Sequence, residues 1–421
     1  MTSREKVRRA LAHQSGPVPV DFGSTGLTSL HVSCVAALRE HYGLPDHPVK
    51  VCEPFQMLGE VEDDLARALG SDCVAANGRG TMFGFANEGW HEWRTPWGQV
   101  VLVPEGFRPR EDTSGDVYLF PEGDTSVAPS GHMPAGGYFF DAIVRQPPID
   151  EDKLNPADNC EEFKPLEPVD VEHWQREFAR LGGESRAIVG GIGGMGFGDI
   201  ALVPAAFLKH PKGIRDVSEW YVSLIERREY IHQVFSYQCK VALKNLSTYA
   251  ALAGDTVDVL MICGTDFGTQ SSQFCSAATF DELYAPYYRQ VNDWIHRHTK
   301  WKTFKHSCGA VRPLIDRFID VGFDILNPVQ CSAKDMDPVR LKADFGDRLV
   351  FWGGGVDTQH TLPFGTPTEV RAQVMERLRA FSPGGGFVFN TIHNIQARTP
   401  VANIVAMVDA IREFNGSTAQ H

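Results

Sequence analysis

Near residue 306 the chain carries an imidazole and a thiol two positions apart, in the run Phe304-Lys305-His306-Ser307-Cys308-Gly309. In a strand, side chains two apart leave the backbone on the same face, so His306 and Cys308 point together. Nitrogen and sulfur donors that converge in this way are what zinc needs from its first two ligands. A His and a Cys on an inward strand face are also common as plain buried side chains, so the pair takes its chemical meaning from what surrounds it.

The elements that must position this pair lie mostly in the second half of the chain. From residue 185 onward, short apolar runs alternate with longer amphipathic ones. Strands are predicted at 187–191, 257–262, 302–306, 323–327, 349–353 and 386–390, with helices between them. Val311, Leu314, Ile315, Phe318 and Ile319 form one helical apolar stripe, and Val401, Ile404, Val405, Val408 and Ile411 form another. Strands that alternate with helices imply βαβ units and a parallel sheet. Two earlier strands, at 18–22 and 72–76, bring the count to eight. No GxGxxG loop opens a helix after the first strand, so the pattern suits a (β/α)8 TIM barrel better than an open doubly wound sheet. The N-terminal half adds helices at 2–13, 29–42 and 58–70. Between about 80 and 180 the pattern changes: Trp90, Trp93, Trp97 and the run Val100-Val101-Leu102-Val103 suggest hairpins, followed by a Pro/Gly/Asp-rich stretch. We read the chain as one barrel domain over 1–421, with 80–180 as a long insertion between early strands that covers a pocket.

In such a barrel the chemistry sits at the C-terminal ends of the strands. Those ends are polar here: Asp21 and Ser24; Cys263, Thr265, Asp266 and Gln270; His306 and Cys308; Asn327, Gln330 and Cys331; Asp357, Gln359 and His360; Asn390, His393, Asn394 and Gln396. Singly, such residues cap helices and satisfy loop backbone. Together they define one mouth, within which His306, Cys308 and His393, placed on the last strand, are the most economical metal set, with Asp266 or Cys331 as a further donor. Asp21, Gln270, Asn327, Gln330 and Asn394 are the candidate substrate-binding groups.

The bulk composition narrows the partners. A formal net charge of -13 argues against a nucleic-acid footprint or an anionic membrane surface. Nine scattered cysteines with no CxxC pair do not read as a disulfide framework, which points to a reduced, cytoplasmic setting. No stretch approaches a membrane span, and no apolar signal core follows the charged N-terminus. Small molecules or protein partners are the expectation.

Four stretches carry a family resemblance: His306-Ser-Cys-Gly-Ala-Val-Arg-Pro-Leu-Ile; Asp324-Ile-Leu-Asn-Pro-Val-Gln; Phe351-Trp-Gly-Gly-Gly-Val-Asp-Thr-Gln; and Gly384-Gly-Gly-Phe-Val-Phe-Asn-Thr-Ile-His-Asn-Ile-Gln. Together with Arg4-Glu-Lys-Val-Arg-Arg-Ala-Leu and Val18-Pro-Val-Asp-Phe-Gly, they resemble the uroporphyrinogen decarboxylase-like superfamily. The resemblance covers the first 25 residues and nearly everything after 185, but not the 80–180 stretch. It implies a (β/α)8 barrel and one of two chemistries. One is cofactor-free decarboxylation of a porphyrinogen; the other is zinc-dependent methyl transfer between a small methyl donor or thiol and the cobalt of a corrinoid protein.

Decarboxylases of the family carry an Arg-rich segment after the first strand, whereas this chain reads Asp21-Phe-Gly-Ser-Thr-Gly-Leu-Thr there, without arginine. A polyanionic tetrapyrrole would lose its charge partners. The corrinoid-dependent (cobalamin-type) methyltransferase branch is the closer resemblance, because its zinc site uses a His-x-Cys pair on the fifth strand, matched by His306 and Cys308. Its third ligand is a cysteine near the last strand. This chain has no cysteine after Cys331, so His393, Cys331 or Asp266 takes that place or no metal is held. A His in place of Cys makes a site less electron-rich, which suits activation of an oxygen or nitrogen donor. The resemblance therefore implies Zn2+, a corrinoid carried by a partner protein, and a small-molecule methyl donor. The rival readings are a decarboxylase or lyase acting on a small acid, with Asp21 or Asp266 as acid/base group, and a non-catalytic corrinoid- or tetrapyrrole-binding protein.

Overall fold

The computed structural model describes residues 1–418. Its centre is a curled, all-parallel sheet of seven strands: β1 Cys73–Ala75, β2 Ala187–Gly190, β3 Val259–Cys263, β4 Lys302–His306, β5 Ile325–Asn327, β6 Val350–Trp352 and β7 Phe387–Val388. Each pairs with the next in sequence order from β1 to β7. Every predicted strand from 72 onward is present, most of them shorter than expected.

The stretch at 18–22 is not a ladder strand of its own. Val20 instead bridges Phe389 in parallel, its carbonyl accepts from Asp72 N at 2.7 Å, and Asp21 N donates to Phe389 O at 2.9 Å. This segment therefore lies between β1 and β7.

Parallel strands are buried on both faces, which is why they read as continuous apolar runs. One face of the sheet gathers Val189, Val259, Phe304, Ile325, Trp352 and Val388 into a single cluster. The helix Ser3–Leu11 adds Val7, Ala10 and Leu11 to that cluster, closing the N-terminal end of the sheet. Thr2 and Glu5 start this helix with a capping box. Arg4 and Arg8 pair with Asp258 at 2.9 and 2.7 Å, and Lys6 pairs with Asp72 at 2.6 Å. Both aspartates stand at the N-terminal ends of strands, so this end of the sheet is fastened by charge as well as by packing.

The opposite face packs under helices, chiefly Arg228–Ala253, Ala285–His298, Pro367–Phe381 and Val401–Thr418. Among the described residues, no helix is long and apolar enough to cross a membrane.

The predicted hairpin is present: His91–Arg94 pairs antiparallel with Val100–Val103. It belongs to a five-stranded sheet that also takes in Leu30–His31, Val49–Glu53 and Leu58–Gly59. A four-stranded antiparallel sheet follows over residues 110–142. The extra strands thus begin well before residue 80, interleaved with the helices near 32–41 and 63–69. By contrast, the helix Pro168–Arg180 packs against the helix Arg228–Ala253 beside the parallel sheet, with Trp174 set edge-on to Tyr249 at 4.8 Å.

The start of β5 is locked by Asp324. Its carboxylate accepts from Thr303 N and Lys302 Nζ, both at 2.9 Å, and meets His296 Nε2 at 2.8 Å. The hydrogen bond from His296 and the charge of Lys302 overcome burial and hold this carboxyl down at about 2. Because the folded value lies below the unfolded one, the stabilisation is present above about pH 4 and is lost as pH falls toward 2. Asp324→Asn should lower unfolding free energy at pH 7 by about 2 kcal/mol. The gap to wild type should narrow on acidification, to roughly half at pH 3, which urea melts at pH 7 and pH 3 will measure.

Candidate metal and substrate site at the strand ends

His306 ends β4 and is 2% exposed. The parallel register sets it beside Asn327, the last residue of β5. Its Nδ1 lies 2.6 Å from Asn327 Oδ1, while Asn327 Nδ2 donates to Trp352 O at 2.8 Å. The amide is therefore oriented with its oxygen toward the ring. Nδ1 carries the proton, and Nε2 presents a lone pair to the mouth. Burial pulls the ring down to about 4, so it is neutral at physiological pH.

Cys308 follows two residues on, with Sγ 3.4 Å from His306 Nε2. Its backbone N–H donates to Asp266 Oδ1 at 2.6 Å. Burial and then the Asp266 charge push the Cys308 thiol well up, and burial raises the Asp266 carboxyl. The approach of Asp266 Oδ1 to His306 Nε2 at 3.6 Å is not an ion pair, since the ring is neutral.

His393 lies in the loop beyond β7 rather than on the strand. Its backbone sits at φ 70°, in the left-handed region that costs a non-glycine residue of order 1 kcal/mol. This conformation brings its ring edge-on to His306, with centroids 5.2 Å apart at 74°. Burial and the neighbouring His306 draw it down to about 3.

The result is one donor group: ligand atoms of His306, Cys308 and His393 all lie within 4.8 Å of one another. Tetrahedral zinc places nitrogen and sulfur ligands roughly 3.5 Å apart, which the His306–Cys308 separation of 3.4 Å matches. His393 is less free, because its Nδ1 accepts the Asn394 N–H at 2.9 Å. In a neutral ring that bond leaves the proton on Nε2, so ligation by His393 requires this hydrogen bond to be given up. Cys331 lies outside the group, with Sγ donating to Val329 O at 3.3 Å.

The other predicted residues mostly tie loops together. Asp21 is fully buried and accepts from Ser24 N, Ser24 Oγ and Trp352 Nε1 at 3.1, 2.6 and 3.0 Å. Gln330 accepts from Gly309 N at 2.8 Å and donates to Gln270 Oε1 at 3.0 Å. It thereby holds the turn after Cys308. Gln270 itself is exposed. Asn394 accepts from Ser29 N at 2.7 Å and donates to Gly26 O and Gln56 Oε1 at 2.8 and 2.9 Å. The loops after β3 and β4 meet backbone to backbone. A Cβ on Gly309 would stand 2.4 Å from Gly268 O, and Gly309 holds φ +84°.

Three polar residues near the mouth escaped the sequence reading. Asp199 ends the run Gly190-Gly-Ile-Gly-Gly-Met-Gly-Phe-Gly and is pushed up to about 6 by burial, with Asp266 adding to the rise. The hydroxyl of Tyr221 is buried without a partner and raised by burial and by the Asp266 charge. Glu53 accepts from Phe55 N and Gln56 N at 2.9 and 2.8 Å and is pushed to about 7 by burial. The glycine run after β2 is the one signal that pointed to Asp199.

A cavity of about 430 Å³ opens between that loop and the helix Arg228–Ala253, with Asp199, Trp220, Phe235 and Gln238 in its wall. None of His306, Cys308 and His393 lines it. A second, of about 560 Å³, is walled by Gly26, Glu53, Asn87 and Arg186.

Comparison with known proteins gives the lineage. A uroporphyrinogen decarboxylase from Prochlorococcus marinus is 24% identical over 288 residues, covering 67% of this chain and 75% of the relative. One from Psychromonas ingrahamii is 34% identical over 80 residues, 19% of this chain and 22% of the relative. Among solved structures, a methyltransferase from Methanosarcina mazei superposes with a TM-score of 0.54 at 18% identity, covering 98% of this chain and 99% of that one. The likeness is one of fold. The profile of the uroporphyrinogen decarboxylase (URO-D) family matches residues 203–414, and the chain belongs to that family.

Proposed function

We propose that this protein is a cytoplasmic, zinc-dependent methyltransferase that moves a methyl group between a small methylated substrate and the cobalt of a corrinoid protein. The observation that carries the reading is the convergence of His306, Cys308 and His393 donors within 4.8 Å at the strand ends. These three residues would hold the metal. Zinc, when bound, supplies Lewis acidity toward the heteroatom that bears the methyl group.

The chain's own residues do the rest. Asn327 fixes the His306 tautomer so that Nε2 faces the mouth. Asp266 fixes the Cys308 backbone through Oδ1, which also lies 3.6 Å from His306 Nε2 and so stands beside the donors as a fourth ligand or a substrate contact. Gln330, Gln270 and Asn394 set the loops that shape the substrate pocket.

In the same reading the fold is a closed (β/α)8 barrel over one domain. The hydrogen bonds of residues 19–21 to Phe389 and Asp72 support it, because they join the two edges of the seven-stranded sheet. The 80–180 stretch acts as insertion and cover. Its support is that Tyr138 O meets His31 Nε2 at 2.9 Å and Phe140 N donates to Phe55 O at 2.8 Å, which packs the stretch onto the loop that bears Gln56.

The rival decarboxylase or lyase needs a proton-exchanging carboxyl, and Asp199 and Asp266 offer raised ones. Asp21 suits that role less, since three donors already occupy it.

Two measurements test the reading. Protein purified without added metal is expected to hold about one zinc per chain by elemental analysis, and the double variant His306→Ala, Cys308→Ala to hold none while keeping its circular dichroism. Zinc-free wild type would sink the mechanism. In turnover assays the methyl group should leave the donor only when a reduced corrinoid protein is present, with no carbon dioxide formed. Carbon dioxide release in the absence of any corrinoid protein would select the lyase.

A further inference from the structure

Between Phe304, in the apolar cluster of the sheet, and His306, at the mouth, stands Lys305. By strand alternation its side chain leaves β4 on the face opposite to both. It is fully buried, 0% exposed. Nζ donates to Thr265 O at 2.5 Å, to His306 O at 2.6 Å and to Cys263 Sγ at 3.3 Å. Three rings surround it, with centroids of Phe267 at 4.7 Å, Phe318 at 5.7 Å and Tyr288 at 5.8 Å.

None of these partners is a carboxylate. Removing a cation from water costs several kcal/mol, of which carbonyl dipoles and ring faces return only part. For packing alone, a methionine would fill such a pocket at lower cost. Lysine here joins the Thr265 carbonyl, on the loop after β3, to the His306 carbonyl at the end of β4, which a side chain without an N–H donor cannot do. Thr265 directly precedes Asp266, and His306 is itself a donor of the cluster. The same two loops touch again at Cys308 N to Asp266 Oδ1, 2.6 Å, and at the Gly268–Gly309 contact. Lys305 thus sits behind the place where the two halves of the site are set against each other.

We propose that Lys305 is a positioning residue of the donor cluster: by tying the Thr265 carbonyl to that of His306, it fixes Asp266 on one loop against His306 and Cys308 on the other. The proposal rests on the metal-site reading above and adds a residue that touches neither metal nor substrate.

The test uses full-length protein stripped of metal and titrated with cobalt(II), whose ligand-field and sulfur-to-metal absorption bands report donor geometry. Wild type should take up one equivalent with a thiolate charge-transfer band. Lys305→Met, with unchanged circular dichroism, should bind cobalt roughly 10–100-fold more weakly, as removal of an orienting partner usually does, and its bands should shift in position. If Lys305→Met loses structure, Lys305→Leu, which likewise has no donor for the carbonyls, is read in the same way against wild type. A folded variant with wild-type bands and an affinity within about twofold overturns the role of Lys305 while leaving the metal site standing. Failure of wild type itself to bind cobalt overturns both.

Discussion

The 2.6 Å hydrogen bond between His306 Nδ1 and Asn327 Oδ1 is the contact on which the site depends. It exists because parallel pairing of β4 with β5 sets His306 opposite Asn327, and a one-residue slip would turn every side chain of β4 to the other face. The constraint continues around the mouth. Asn327 holds Trp352 O, the Trp352 indole N–H donates to Asp21, and Asn390 Nδ2 donates to Asp21 O at 2.7 Å. This hydrogen-bonded belt links β4, β5, β6, the first-strand segment and the turn after β7. It explains why several polar residues at strand ends are fully buried: they hold the frame that points His306 Nε2 into the opening.

Much of this frame is legible in the sequence. Short apolar runs spaced by amphipathic ones announce the parallel strands, and a polar residue closing each run marks the mouth. His306 and Cys308 converge as their spacing within a strand and its extension requires. The expectations that changed are those set by loop geometry. His393 reaches the cluster from a turn, through a left-handed backbone conformation that no periodicity encodes. Gln330 and Asn394 have the right chemistry for substrate contact, yet their donors and acceptors are largely spent on Gly309, Ser29 and Gly26, partners far away in sequence. Lys305 is readable only in hindsight: a lysine inside a strand buried on both faces breaks the pattern of its neighbours, and such a break marks a special role.

The electrostatics of the donor group follow from burial. Two rings drawn down to about 4 and about 3 stay neutral, and a thiol and a carboxyl pushed up resist ionising. A cluster of this kind, left to itself, is a set of donors whose charged forms burial disfavours. A divalent cation would reverse the thiol and carboxyl shifts, since it supplies the positive charge that burial denies them. The His306 imidazole is already in the form that ligates, whereas His393 must first give up its bond from Asn394 N.

The arginines that line the two cavities bear on what charge a ligand can carry there. In the cavity beside Asp199, Arg215 is spent on Glu162 at 2.9 Å. In the cavity beside Glu53, Arg180 pairs with Glu177 at 2.8 Å, and Arg186 with Glu184 and Asp63 at 2.7 and 2.6 Å. Each of these guanidiniums already has its counter-charge, and freeing one would strand a buried or half-buried carboxylate. The groups near the donor cluster are instead two carboxyls and a hydroxyl: Asp199 accepts from Ala201 N at 3.1 Å and Asp266 from Cys308 N at 2.6 Å, while the Tyr221 hydroxyl is buried without a partner. A ligand bearing several carboxylates would meet like charge without compensation, whereas a neutral or cationic one would meet acceptors and a free hydroxyl. The balance of charge in these cavities therefore favours a small uncharged or basic ligand over a polyanion, although the fold and lineage are shared with enzymes named for uroporphyrinogen.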